Sequence, residues 1–315
     1  MARYAARRLA FAFFLVVAVS SAAFVLARLA PGDYVSGSLG IEAHRETIEQ
    51  ARERLGLNKP LLTQYGAWLA GAVRLDFGRS LQYDRPVGEL IPERAANTAL
   101  LAITAIVIAT AVGIPLGVVA GSRHGLVSGA IGTVSLVLLS LPPLLTSLFL
   151  LFLAARTGWF PIAGMRSAAP PHGAFLDFLH HLAVPAAAIG LPLAAMLERL
   201  QAQATSEAVR QPYVAATLAR GIPRARVIWR DALKPSLRAV TSVYGLIVGT
   251  LLSGSFAVEV VSAWPGLGSL MLDALRARDV YLVAGCAGAG AIFLASGTFI
   301  SDVALALVDP RSREP

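Results

Sequence analysis

The chain has 315 residues, of which 56% are hydrophobic and only 15% charged, and its formal net charge is +8. Soluble domains carry about a quarter charged residues, so this balance excludes one large soluble core and points to several membrane spans. The cations lie in loops between apolar runs, as topology signals do, and neither zinc-ligand spacing nor an RNA-binding aromatic signature accompanies them, which argues against nucleic acid.

Arg3, Arg7 and Arg8 precede an uninterrupted apolar and small-residue run from Leu9 to Ala27. A cleaved signal peptide shares this layout, with Ser20-Ser21-Ala22-Ala23 as a cleavage site. The run continues to Arg28, long enough at about 1.5 Å per residue to cross a ~30 Å hydrocarbon core, which favours an uncleaved first span. Residues 31–96 form a polar segment opening on the turn Pro31-Gly32-Asp33. Glu42 to Leu57 has the spacing of a charged amphipathic helix, bracketed by Gly56 and Pro60. A second such helix presents Leu62, Tyr65, Trp68, Leu69 and Val73 on one side. Acids and bases are nearly balanced here, as on a solvated surface.

Five further spans follow. Asn97–Gly121 carries an expected kink at Gly113-Ile114-Pro115, and Leu126–Ala155 is interrupted at Leu141-Pro142-Pro143. After a polar loop from Arg156 to Phe178, Leu179–Leu197 reads as a short span broken by Pro185 and Pro192. Ala239–Ala263 is rich in Gly and Ser. A short loop holds Asp273, Arg276, Arg278 and Asp279, and Val280–Val308 is the last span. The expected division is therefore a tip and first span (1–30), an outer helical segment (31–96), a core of five spans (97–308) that includes a long loop at 199–238, and a tail (309–315).

The longest basic stretch, Glu207 to Arg238, separates the fourth and fifth spans. It holds Arg210, Arg220, Arg224, Arg226, Arg230, Lys234 and Arg238 against Glu207 and Asp231. With six spans both termini share its side, and the excess of arginine there makes that side cytoplasmic, leaving 31–96 outside.

Chemistry is sparse. There is no GxxxxGK[ST] phosphate loop and no Gly-x-Ser-x-Gly elbow. His44, His124, His172, His180 and His181 lack metal-ligand spacing apart from the adjacent pair, and read as solvated interfacial residues; no metal site is expected. Cys286 stands alone in an apolar run and reads as small core filler. Glu259 sits at the expected outer mouth of the fifth span, before Trp264-Pro265-Gly266, where it lines a solute path or simply borders the interface. Asp302, near the inner end of the last span, suits an ion pair with an arginine of a cytoplasmic loop. Glycine and serine in the last two spans (Gly245, Gly249, Ser255, Gly285, Gly288, Gly290) permit close helix approach. An intramembrane enzyme would need a catalytic constellation that the spans lack. A secondary transporter or channel would need midplane polar sites or an ion relay, and broken span four keeps that alternative open.

Several short motifs occur in a fixed order: Ala30-Pro31-Gly32-Asp33, Leu55-Gly56-Leu57-Asn58-Lys59-Pro60, Gln64-Tyr65, Asp76-Phe77-Gly78-Arg79-Ser80, Gly158-Trp159-Phe160-Pro161, Tyr213-Val214, Ala219-Arg220-Gly221, Trp264-Pro265-Gly266-Leu267-Gly268 and Asp309-Pro310-Arg311. With them the chain resembles, nearly end to end, the inner-membrane permease subunits of ABC importers, in the dipeptide, oligopeptide and nickel branch.

The resemblance implies an all-α polytopic membrane protein of the type I permease fold: six transmembrane helices, with a small extracytoplasmic helical segment between the first two. It implies a bacterial inner-membrane location and a transport function without enzymatic activity in this chain, ATP and Mg²⁺ being held by partners. Those partners are a second related permease, two cytoplasmic ATPases and an extracytoplasmic solute-binding protein, within the lipid bilayer and without nucleic acid. The implied ATPase-coupling residues are Tyr213, Val214, Ala215, Ala216, Thr217, Ala219, Arg220 and Gly221, supported by Arg224, Arg226 and Leu233; Glu259, Trp264 and Gly266 fall at the path or gate.

The family's coupling loop reads Glu-Ala-Ala, three residues, Gly, nine residues, Ile-x-Leu-Pro. With Gly221 aligned, Ala215, Ala216 and Thr217 occupy the Glu-Ala-Ala positions, and Asp231, Leu233 and Lys234 those of Ile, Leu and Pro. The glutamate is absent, so docking must rest on helix shape, Gly221 and the arginines.

Overall fold

The computed structural model describes residues 2–38, 45–123, 125–168, 173–241 and 243–308. Among them the elements are helical throughout, apart from one isolated antiparallel bridge between Arg79 and Pro86. Helix α1 spans Ala2–Leu29, α2 Tyr34–Ser38, α3 Arg45–Arg54, α4 Leu61–Ala72 and α5 Val87–Ser122. Then come α6 (Leu126–Ser140), α7 (Pro143–Thr157), α8 (Ala174–Val209), α9 (Pro212–Ala219), α10 (Arg224–Arg226), a π-helical turn at Val227–Ala232, α11 (Leu233–Thr241), α12 (Tyr244–Val261), α13 (Leu267–Ala277) and α14 (Val280–Val308). Five helices are long and apolar enough to cross a membrane, and a sixth crossing exists if the bent pair α6–α7 counts as one span.

The chain divides into two compact units. One comprises residues 1–98 and 265–295, the other 99–264 and 296–315.

In the first unit, α1 and α4 meet through an aromatic cluster. Phe24 is fully buried and stacks on Trp68 with ring centroids 5.1 Å apart, and the Tyr65 hydroxyl donates to Ser21 Oγ at 2.9 Å. The motif residues clip the segment together: Gln64 donates to the Leu57 and Lys59 carbonyls at 3.2 and 2.7 Å, and Arg28 donates to Leu57 at 2.6 Å. Arg52 pairs with Asp33 at 2.6 Å. Burial alone would raise the Asp33 carboxyl, but hydrogen bonds from Arg52 and Ser36 outweigh it and hold the pKa down to about 2.

Asp279, fully buried ahead of α14, accepts from Ser80 Oγ at 2.6 Å, from the Gln82 N–H at 3.1 Å and from the Leu282 N–H at 3.1 Å. The last contact caps α14, and the first two fix the 76–86 turn. The stretch expected as a short loop before the last span is instead helix α13. Leu267, Leu270, Met271 and Ala274 stand at helical spacing and pack on Val87, Leu282 and Cys286, so a buried apolar stripe overrides the charges of Asp273 and Arg276. Cys286 is buried in that cluster, as core filler would be.

In the second unit α8 is the central element, with Leu182, Ala186, Ala188, Ile189, Leu193, Ala194 and Leu197 buried along it. The expectation of a short, broken fourth span is corrected here. The helix runs unbroken for 36 residues with Pro185 and Pro192 inside it. Each proline removes one backbone donor, but dense packing of Ala186, Ala188, Ile189 and Leu193 on neighbouring helices outweighs the loss. Likewise α5 shows no break at Pro115. Gly113, Gly117 and Gly121 instead form a stripe along α5 against α8. A Cβ at Gly113 would lie 2.5 Å from the Ala194 carbonyl, and one at Gly117 would lie 2.6 Å from that of Glu198. These are small residues at four-residue spacing, admitting backbone to backbone. The interruption at Leu141-Pro142-Pro143 turns the chain by 105° between α6 and α7, because the residue before each proline is driven out of the helical region.

Candidate functional site

The connection from α8 to α12 is built from local rules. Gln211 is extended (φ −69°, ψ 144°) because Pro212 follows it, and Pro212 then opens α9 at its first turn, where a missing N–H costs nothing. The helix ends after eight residues at Arg220, and Gly221 follows with φ +79°. A Cβ at Gly221 would meet nothing within 4 Å, so the requirement for glycine is backbone conformation and not space. Thr217 Oγ1 donates to the Tyr213 carbonyl at 2.8 Å. Val214 alone of these residues is buried, at 1% exposure, and anchors α9. Tyr213, Ala215, Ala216, Leu218, Ala219 and Arg220 are exposed.

The return arm is Arg224–Thr241. Pro235 has no N–H for the Asp231 carbonyl; a π-helical turn at Val227–Ala232 precedes it, and Pro235 itself lies in the first turn of α11. Val227 and Ala232 bury the inner face, and Leu233 is half-buried; Trp229 is 47% exposed on the outer face. Two contacts tie the arm to the unit, and a third, within α8, holds the Gln201 amide in place. Arg224 Nη2 donates to the Ser122 carbonyl at 3.0 Å, Gln201 Nε2 donates to Ser236 Oγ at 2.8 Å, and the same amide donates to Thr205 Oγ1 at 2.9 Å. Arg220, Arg226, Arg230 and Lys234 face Asp231 around a cleft of about 430 Å³. Four cations against one acid make this cleft complementary to a carboxylate-bearing surface.

The structure thus brings Tyr213 to Gly221 together with Arg226, and sets Arg224 and Leu233 behind them as supports. Glu259 and Trp264 are fully buried, with the Trp264 N–H donating to the Glu259 carbonyl at 2.8 Å, and Gly266 precedes α13 in extended conformation. Asp302 lies on α14, and its side chain falls outside those described, as does the tail motif Asp309-Pro310-Arg311. The histidine expectation needs correction at one position. His181 is 5% exposed, with Nδ1 2.8 Å from the Asp177 carbonyl, whereas His180 is exposed. His44, His124 and His172 lie outside the described residues, and among those described no cluster suits a metal.

Two features escape the sequence reading. One is a cavity of about 540 Å³ between α5 and the α11–α12 junction, with the Thr110–Tyr244 hydroxyl pair (2.7 Å) in its wall and Lys234 and Arg238 beside it. The other is Glu198, buried to 2% exposure on α8. Its position one residue past an apolar run disguises it as an interfacial charge.

Known proteins carry the same layout. Residues 113–314 match the family described as the binding-protein-dependent transport system inner membrane component, and residues 1–102 match the N-terminal part of such membrane components. The chain is 31% identical to the oligopeptide transport system permease protein AppB of Bacillus subtilis, over 99% of both chains. It is also 31% identical to the di/tripeptide transport system permease protein DppB of Pseudomonas aeruginosa, over 99% of both. A putative peptide permease of Brucella suis is 30% identical, again over 99% of each. The helical architecture, the candidate spans and these full-length matches agree: the chain belongs to the family of multi-pass inner-membrane permeases of binding-protein-dependent ABC importers.

Proposed function

We propose that this subunit forms the solute path of a peptide importer together with a second, related permease, and that it couples that path to cytoplasmic ATPases through α9. The observation that carries the reading is the exposed helix Pro212–Ala219, anchored by Val214 alone and closed at Gly221. A short helix with an unpartnered outer face beside a cationic cleft suits insertion into an acidic groove of a partner. The names of the relatives support peptides as cargo and an extracytoplasmic binding protein as the donor. ATP and Mg²⁺ belong to the ATPases and none to this chain. With α6–α7 counted as one crossing, both termini and the 210–238 loop lie in the cytoplasm and residues 31–86 outside, as the arginine distribution requires.

Coupling demands that ATP bias inward- against outward-facing states, and shifting 1:99 to 99:1 takes about 5.5 kcal/mol of differential binding. The chain path supports this, since α8 leads through Arg210 and Gln211 into α9 and the return arm leads into α12. The test is a Gly221 series. Gly221→Asn, which tolerates a left-handed backbone, is expected to keep peptide uptake near wild type. Gly221→Val costs on the order of 1–3 kcal/mol of backbone strain at this φ and is expected to abolish uptake while membrane insertion persists. Full uptake by Gly221→Val would remove α9 from the coupling role.

A further inference from the structure

Glu198 lies on a membrane-spanning helix, is 2% exposed, and its Oε2 has no hydrogen-bond partner. It takes no part in the ion pairs seen among the described residues. An uncompensated carboxylate at this depth is expensive, and the expense implies something that meets it. Glu198 is shared by the linings of two clefts. One, of about 310 Å³, is an apolar slot between α5, α6 and α8, with Leu116, Val134 and Leu191 in its walls. The other, of about 520 Å³, opens by the end of α5, with Arg123, Arg199 and Ser128 around it. Leu191 stands seven residues from Glu198, roughly 10 Å along the helix, so the slot runs toward the membrane centre and the polar cleft toward its surface.

We propose that these clefts together bind one aminophospholipid from the leaflet bordering the basic loops. An acyl chain fills the slot, Arg123 and Arg199 meet the phosphate, and the primary ammonium pairs with Glu198. The lipid matches all three parts by charge and polarity. A purely anionic headgroup would leave Glu198 unmatched and repel it. A choline headgroup carries the charge but offers no N–H to the unpartnered Oε2. A peptide is also zwitterionic, but a hydrocarbon-lined slot would strand its backbone amides without partners. The adjoining face of α6 suits contact with lipid, since Val134 and Val137 are 59% and 55% exposed. The inference uses the membrane placement of the family and is independent of which solute is carried.

The test uses the purified transporter containing the full chain, titrated in detergent with phosphatidylethanolamine, phosphatidylcholine and phosphatidylglycerol of equal acyl length and read by native mass spectrometry. Phosphatidylethanolamine is expected to be held about tenfold more tightly than either of the others. Glu198→Gln should erase that preference, weakening phosphatidylethanolamine and tightening phosphatidylglycerol as the repulsion is lost, while the double variant Arg123→Ala/Arg199→Ala should weaken all three. Equal retention of the three lipids by the wild type overturns the proposal, a readout needing no variant, and so does a preference that survives Glu198→Gln. Displacement of the lipid by a dipeptide would overturn it in favour of a solute-path site. A cross-link from position 134 to a second permease would overturn it in favour of a subunit interface.

Discussion

Arg224 donates from Nη2 to the carbonyl of Ser122 at 3.0 Å, joining positions 102 residues apart. Ser122 is the last residue of α5, whose final carbonyls have no donors within their own helix. A cation there both meets an orphan acceptor and favours the negative end of the helix dipole. The contact gives the 210–238 loop a hold on α5 in addition to its covalent links to α8 and α12.

Loss of that hold should uncouple more than it unfolds. Arg224→Met keeps the aliphatic stem and removes the donor, at about 1–2 kcal/mol of local stability given its exposure. The expected result is normal membrane insertion, unchanged basal ATP turnover by the assembled transporter, and peptide uptake lowered several-fold. Uptake and turnover measured together in proteoliposomes check this, and a parallel fall in both would instead mean failed assembly.

The glycine stripe of α5 makes a graded prediction. A Cβ at Gly117 would lie 2.6 Å from both the Glu198 carbonyl and Gln201 Cβ, so Gly117→Ala must push α5 from α8 and should cost about 1–3 kcal/mol. Gly290→Ala, on α14, meets nothing within 4 Å and should be neutral or stabilising by up to about 1 kcal/mol. Thermal unfolding in detergent compares the two. Equal effects would mean that the stripe does not govern the contact.

The Asp33–Arg52 pair predicts an acid sensitivity of the 31–86 segment. The folded pKa of Asp33 is lowered to about 2 from an ordinary value of 3.8. A depressed carboxylate contributes stability that is fully present above its unfolded pKa and lost as pH falls from about 4 to 2. With Arg52 about one-third exposed, the contribution is about 1–2 kcal/mol after screening. Asp33→Asn should remove it. Limited proteolysis of the 31–86 segment should then show faster cleavage in the variant at pH 7, and the difference from wild type should vanish near pH 2.

Much was legible in the sequence because it is written locally. Apolar runs marked the spans, Pro142-Pro143 marked the break that became a 105° bend, and Gly221 marked the end of a helix observed at Pro212–Ala219. The pattern Leu267, Leu270, Met271, Ala274 also carried α13 in plain sight, masked by the charges among it. Where two local signals competed, neighbouring packing chose between them: Pro185 and Pro192 argued for a break, yet Ala188 and Ile189 lie buried on an unbroken helix.

What the sequence by itself determined is where the apolar helices lie and that a short helix stands between α8 and α12, since each depends on residues a few positions apart. Only the tertiary structure decided that Gly113 and Gly117 face the α8 backbone, that Arg224 reaches Ser122, and that Glu198 is buried where its neighbours in sequence suggested an interface. The reason is physical. Helix formation follows from the period of nearby side chains, whereas burial and hydrogen bonding depend on which distant surfaces meet, and that is settled by packing over the whole unit.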